Sequence, residues 1–115
     1  MSEASARAWR FYLDDMIGFA RKAIDYTQAL DRAGFSEDSL RRDATLRNLE
    51  LLGEAATHIP LEIRANNGHI PWRQVIATRN RLIHAYLGID DDVRDDLPAL
   101  LEGLQTLRGA LDSAD

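Results

Sequence analysis

Arg79, His84 and Tyr86 are the residues whose types and spacing could do chemistry. A guanidinium stays charged and presents a planar fork of donors that matches a phosphate. An imidazole exchanges a proton near neutral pH and serves as general acid or base. Taking Trp72 as origin and advancing about 100° per residue, Trp72, Val75, Ile76, Leu82, Ile83 and Tyr86 share one broad apolar face, with Arg79 in its middle. Burying that guanidinium unpaired would cost several kcal/mol, so something must compensate it. One compensation is an internal ion pair with Glu50 or Glu54 of the preceding helix. The other is that the face lines a cleft in which Arg79 meets a phosphate. Tyr86, read from the helix alone, is a core aromatic on the Trp72 stripe.

His84 follows Arg79 by five positions, about 140° round an ideal helix, so the two side chains diverge and one copy makes a poor site. A two-fold dimer would bring an Arg and a His from each chain into one groove, and the site is therefore expected at a homodimer cleft. Asn80 stands one turn before His84 on the same side, where it could hydrogen-bond the imidazole or a substrate oxygen; Arg81 points further away.

The elements that must position these groups are helical. Trp9, Tyr12, Leu13, Met16, Ile17, Ala20, Ala23 and Ile24 follow the i, i+3, i+4, i+7 spacing of one helix face, predicting a long helix from Arg7 to about Leu30. Gly34 offers a stop and Ser36 or Asp38 an N-cap for a second helix, which reaches about Ile59 before Pro60. Its inward stripe is Leu46, Leu49, Leu52, Gly53 and Ala56, and Gly53 lets a neighbouring backbone approach closely. Leu61 to Ala65 could hold one further turn, and Asn66-Asn67-Gly68 reads as a tight turn at positive φ. A third main helix runs from Pro71, in its first turn, to about Leu87. Gly88 and the aspartates after it break that helix. Leu97, Leu100, Leu101, Leu104, Leu107 and Leu111 mark the last one, with Pro98 in its first turn. No strand pattern is present. The expected fold is all-α, a single-domain, up-and-down antiparallel bundle of four main helices plus a short extra helical turn.

At 115 residues the chain can close one hydrophobic core, and 45% apolar with 29% charged residues is a globular balance. The N-terminal residues lack the apolar core of a signal peptide and no apolar run is long enough to span a bilayer, so a cytoplasmic protein without membrane contact is expected. The absence of cysteine excludes disulfides and thiolate chemistry. A net charge of -5 argues against bulk coating of nucleic acid. From Ile70 to Tyr86, however, the only formal charges are Arg73, Arg79 and Arg81, followed by Asp90, Asp91, Asp92, Asp95 and Asp96. A compact positive site beside an acidic rim fits engagement of phosphate at one place.

The run Arg79-Asn80-Arg81-Leu82-Ile83-His84-Ala85-Tyr86 resembles the R-x4-H-x-Y motif of the HEPN superfamily, specifically of the HepT-like toxins encoded beside MntA-type minimal nucleotidyltransferase antitoxins. Ile70-Pro71-Trp72-Arg73 and Leu87-Gly88-Ile89-Asp90 give it the typical context. Arg47 to Ala56 is similar to the second-helix signature, and Asp96-Leu97-Pro98-Ala99-Leu100 to the opening of the last helix. Between Asp90 and Leu97 the chain is several residues shorter than the family's usual stretch and lacks its Trp.

The resemblance implies a HEPN-like bundle and a metal-independent endoribonuclease acting at a homodimer cleft. His84 would deprotonate a ribose 2′-hydroxyl or protonate the leaving oxygen, and Arg79 would bind the phosphate. Cleavage then needs no cofactor. Tyr86 would be the site of AMPylation by the cognate antitoxin, which uses ATP and Mg. Asn48, Glu50 and Glu54 would join Asn80 and Arg81 as RNA-binding groups or as groups that position Arg79. The alternative function is a non-catalytic helical companion that binds nucleotide or the transferase.

Other features have simpler readings. His58, His69 and His84 with Glu54 could chelate a metal, but His58 near a helix C-terminus suits the dipole and His69 is a turn residue; no metal is expected. Arg21-Lys22 and Arg41-Arg42 read as solvated faces. Phe11 and Phe19, off the main stripe, either bury at a dimer interface or fill the core.

Overall fold

The computed structural model of the chain describes residues 3–28, 37–77 and 92–114. Within them the protein is an all-α bundle: α1 (Glu3–Gln28), α2 (Ser39–Thr57), α3 (Leu61–Asn66), α4 (Trp72–Ile76) and α5 (Asp92–Ala114), with no strand among the described residues. α1 is the central element, packing against both α2 and α5, while α4 packs against α2.

The periodicity of α1 becomes burial directly. Trp9, Leu13, Met16, Ile17, Ala20 and Ala23 are buried, and Tyr12, Phe19 and Ile24 pack against them. Phe19 therefore belongs to the core, whereas Phe11 is 70% exposed. From the other helices Leu49, Leu52, Ala55, Ala56, Leu97, Leu100, Leu104 and Leu107 complete one continuous core. Two contacts set the helix directions. Tyr12, in the first half of α1, stacks on His58 just beyond the end of α2, with ring centroids 4.2 Å apart and planes 12° from parallel. Arg108, late in α5, donates from Nε to Asp14 Oδ1 at 2.7 Å. Both α2 and α5 thus run antiparallel to α1.

The helix boundaries follow local chemistry. Asp38 is the N-cap of α2, its carboxylate accepting from the Arg41 backbone N–H at 3.0 Å, which satisfies one of the free donors of a first turn. α2 ends at Thr57 with His58 as C-cap, two residues before Pro60, which has no N–H to continue the ladder. The positions from 29 to 36, including Gly34 and Ser36, lie outside the described residues.

Three expectations need correction. The Asn66-Asn67-Gly68 turn forms, but not at positive φ: Asn67 has φ -126° and ψ 46°, and Gly68 does not enter the left-handed region either. The side chain closes the turn instead, with Asn67 Nδ2 donating to Ile63 O at 2.8 Å and Asn67 O accepting from Ile70 N at 3.0 Å. Pro71 is the N-cap of α4 rather than a residue of its first turn. The last helix begins at Asp92, so Pro98 lies inside it rather than at its start. Acidic residue types suit the positive end of a helix dipole, and Asp92, Asp95 and Asp96, read as helix breakers, lie in the opening turns of this helix. A proline in its second turn removes one N–H, and Leu97 and Leu100 beside it are buried in the core.

Candidate active site

Arg79, Asn80, Arg81, His84 and Tyr86 lie outside the described residues. The helix expected to run from Pro71 to about Leu87 ends at Ile76, where Ala77 (φ -82°, ψ 3°) is its C-cap, and residues 78–91 lie outside the described residues. What the structure defines is the frame that delivers the chain to residue 77, and the face of α2 beside it.

That frame is anchored at two places. Trp72 is buried, and its indole Nε1 donates to Asn67 O at 3.1 Å, so the ring is held by packing and by the turn before it. An indole N–H removed from water needs such a partner. About four turns into α2, near its C-terminal end, Gly53 faces the other end of α4. A Cβ on Gly53 would meet Val75 O at 3.0 Å, Ile76 O at 3.5 Å and Ile76 Cα at 3.9 Å. The close backbone approach expected at Gly53 is therefore made to the short helix that leads into the motif. Val75 is buried and Ile76 packs on the core, while Arg73, Gln74 and Ala77 are exposed.

The three α2 residues assigned to the site do not come together. Asn48 is buried, its Nδ2 donating to Ala44 O at 2.8 Å one turn back. Glu50 and Glu54 are exposed on the far side of the helix, about 200° and 240° round from Asn48. Glu50 Oε2 lies 3.4 Å from Arg47 Nη1, and Glu54 Oε1 lies 3.6 Å from His58 Nε2. These are pairs of an exposed helix face, each worth a few tenths of a kcal/mol. His58 is committed to the Tyr12 stack and to Glu54, and His69 is exposed in the turn. No cluster of three metal-ligating side chains occurs among the described residues. Arg21 and Lys22 are exposed as expected, but Arg41 and Arg42 are half-buried, Arg41 pairing with Asp38 at 3.4 Å.

Beside the frame lie His69, read from the sequence as a turn residue, Arg73, read as part of the positive run, and Gln74, which received no role from the sequence. His69, Arg73 and Gln74 rim a groove with an apolar floor. The available signal was the uniformly positive formal charge from Ile70 to Tyr86, to which Arg73 belongs.

The all-α bundle, with α4 packed on α2, is a HEPN-like fold. The chain belongs to the HepT-like ribonuclease family, whose model, described as "Ribonuclease HepT-like", matches residues 16–106. It is 33% identical over 101 residues to a candidate RNase of Methanocaldococcus jannaschii, covering 84% of this chain and 93% of that protein. It is 32% identical over 107 residues to a candidate ribonuclease HepT of Thermococcus cleftensis, covering 89% and 97%. A longer M. jannaschii protein, named as a gamma-glutamylcyclotransferase and candidate RNase, is 30% identical over 108 residues; the match covers 90% of this chain and 49% of that one. No solved structure matches the chain. No helix among the described residues is long and apolar enough to cross a membrane.

Proposed function

We propose that the protein is an endoribonuclease, the toxin of a two-gene toxin–antitoxin module, cutting RNA at a homodimer cleft without a metal. The observation that carries this reading is a family match extending through residues 16–106, within which Arg79, His84 and Tyr86 stand at the full R-x4-H-x-Y spacing. The clamp of α4 on Gly53 and Asn67 supports it, because a site acts only when its groups are held by rigid elements.

In this mechanism His84 takes the proton of a ribose 2′-hydroxyl as that oxygen attacks the adjacent phosphorus. The P–O5′ bond breaks, leaving a 2′,3′-cyclic phosphate on one fragment and, once protonated, a 5′-hydroxyl on the other. Arg79 binds the phosphate and stabilises the charge that builds in the transition state. Asn80 and Arg81 contact the RNA or orient His84, and Asn48, bonded to Ala44 O, stiffens α2, whose exposed face carries Glu50 and Glu54. DNA lacks the attacking hydroxyl and is not cut. The cognate MntA-type nucleotidyltransferase, using ATP and Mg, transfers AMP to Tyr86, and the added bulk and negative charge oppose RNA entry.

Arg79→Ala and His84→Ala should each abolish RNA cleavage and growth arrest with unchanged helicity. Retained cleavage in His84→Ala rejects the mechanism. Co-expression with the neighbouring transferase should add one adenylyl mass increment or more to the wild type and none to Tyr86→Phe. An unmodified dimer that cuts no RNA yet binds the transferase tightly would favour the non-catalytic companion.

A further inference from the structure

Beside the start of α4 the surface is concave in two adjoining places. A cavity of about 270 Å³ lies between His69, Pro71 and Gln74 on one side and Ala99, Leu100 and Gly103 of α5 on the other. A second, of about 340 Å³, runs past Gly68, Trp72 and Arg73. They share Ile70, Pro71 and Gln74, and so form one open groove. Ile70, Trp72 and Leu100 supply a buried apolar floor, while His69, Arg73 and Gln74 are exposed at the rim.

Three features identify what such a groove takes. Each part is at the small end of ligand pockets, the size of a single nucleoside rather than a peptide segment. Among the described residues no carboxylate lines it, and Arg73 is its one formally charged side chain. Among the described residues Arg73 has no ion pair. An apolar surface with an imidazole at its edge and a guanidinium that makes no ion pair among the described residues is a combination that holds an unstacked base and its phosphate.

We propose that this groove is a subsite for one nucleotide of single-stranded RNA flanking the nucleotide that is cut. The base rests on the floor formed by Ile70 and Leu100 with His69 against its face. Arg73 meets the adjoining phosphate. The subsite rests on the ribonuclease reading above and extends it, since Arg73 precedes Arg79 by only six residues in the chain. Arg73 acts here by binding and takes no part in bond breaking.

The test uses the whole protein and a fluorescent 2′-O-methyl oligoribonucleotide, which lacks the attacking hydroxyl and stays intact. Its dissociation constant is measured across a series of salt concentrations. Each lost phosphate contact lowers the slope of log K against log salt by about 0.7 for a single strand. Arg73→Ala is expected to lower the slope by about that amount and to weaken binding several-fold at low salt, whereas Arg73→Lys retains the slope. Ala99→Phe, which narrows the groove without changing charge, should weaken binding at an unchanged slope. Wild-type slope and affinity in both Arg73→Ala and Ala99→Phe, in a protein that cleaves unmodified RNA, would overturn the subsite alone. Equal loss of slope in Arg73→Lys and Arg73→Ala would overturn it as well. Wild-type protein that neither binds the oligonucleotide nor cuts RNA would remove the ribonuclease reading together with the subsite.

Discussion

Gly53 and Val75 meet backbone to backbone: a methyl group on Gly53 would stand 3.0 Å from the Val75 carbonyl oxygen. That oxygen belongs to a helix packed on the core and has little freedom to yield. Alanine gains up to about 1 kcal/mol over glycine in a helix interior, but overpacking typically costs about 1–3 kcal/mol. Gly53→Ala should therefore lower stability by about 1 kcal/mol. Gly18 and Gly109 lie in α1 and α5 with nothing within 4 Å of an added Cβ, so Gly18→Ala and Gly109→Ala should each raise it by about 0.5–1 kcal/mol. Thermal melts of the three variants check the contrast; a Gly53→Ala protein as stable as Gly18→Ala would contradict the close approach.

Trp72 should be the most sensitive position of the frame. Trp72→Ala removes a buried ring and should cost about 3–5 kcal/mol. Trp72→Phe removes the donor to Asn67 O, which keeps its bond from Ile70 N, and should cost about 1 kcal/mol beyond the change in packing. Urea midpoints at a shared m-value give both numbers. Loss of RNA cleavage in Trp72→Phe larger than its loss of folded population would show that the turn positions the motif.

Asp38 caps α2 by accepting from Arg41 N. Asp38→Ala should destabilise by about 1 kcal/mol, while Asp38→Asn, whose amide oxygen can accept the same bond, should lie close to wild type. If the two variants melted together, the exposed ion pair with Arg41 rather than the cap would be the source of stability.

Arg108 ties α5 to α1 through Asp14 at 2.7 Å and pairs with Asp112 of its own helix at 2.6 Å. Hydrogen bonds to Asp14 and then Asp112 raise its pKa above the ordinary arginine range. A raised folded-state pKa contributes stability that is fully present below the unfolded value and disappears only as pH climbs through the raised one, so this contribution stays constant across the neutral range. The pair is largely exposed, and a double-mutant cycle of Asp14→Ala with Arg108→Ala should read about 0.2–1 kcal/mol, shrinking at 1 M salt where the screening length is about 3 Å. A coupling untouched by salt would contradict its assignment as a surface pair.

Much of the bundle was legible because helical burial repeats every three to four residues. The face from Trp9 to Ala23, the leucines of α5 and the Asp38 cap all act through local spacing or local hydrogen bonds. The Asn67 turn shows the limit of the same logic. Asn and Gly permitted positive φ, but the indole of Trp72 and the Ile63 carbonyl offered hydrogen bonds that the chain meets at negative φ. The start of α5 was misread for a related reason: a run of aspartates suits a helix opening as well as a loop, and the choice depends on what packs behind it.

By itself the sequence determined the helical class and the Arg79, His84 and Tyr86 spacing, since each is a property of residue type and order along the chain. Only the tertiary structure decided that Asn48 turns inward while Glu50 and Glu54 face solvent, that His58 stacks on Tyr12, and that a groove opens between the start of α4 and α5. Those outcomes depend on which helices meet at which depth and angle. Residues far apart in the chain share them, and no local pattern encodes the distance between them.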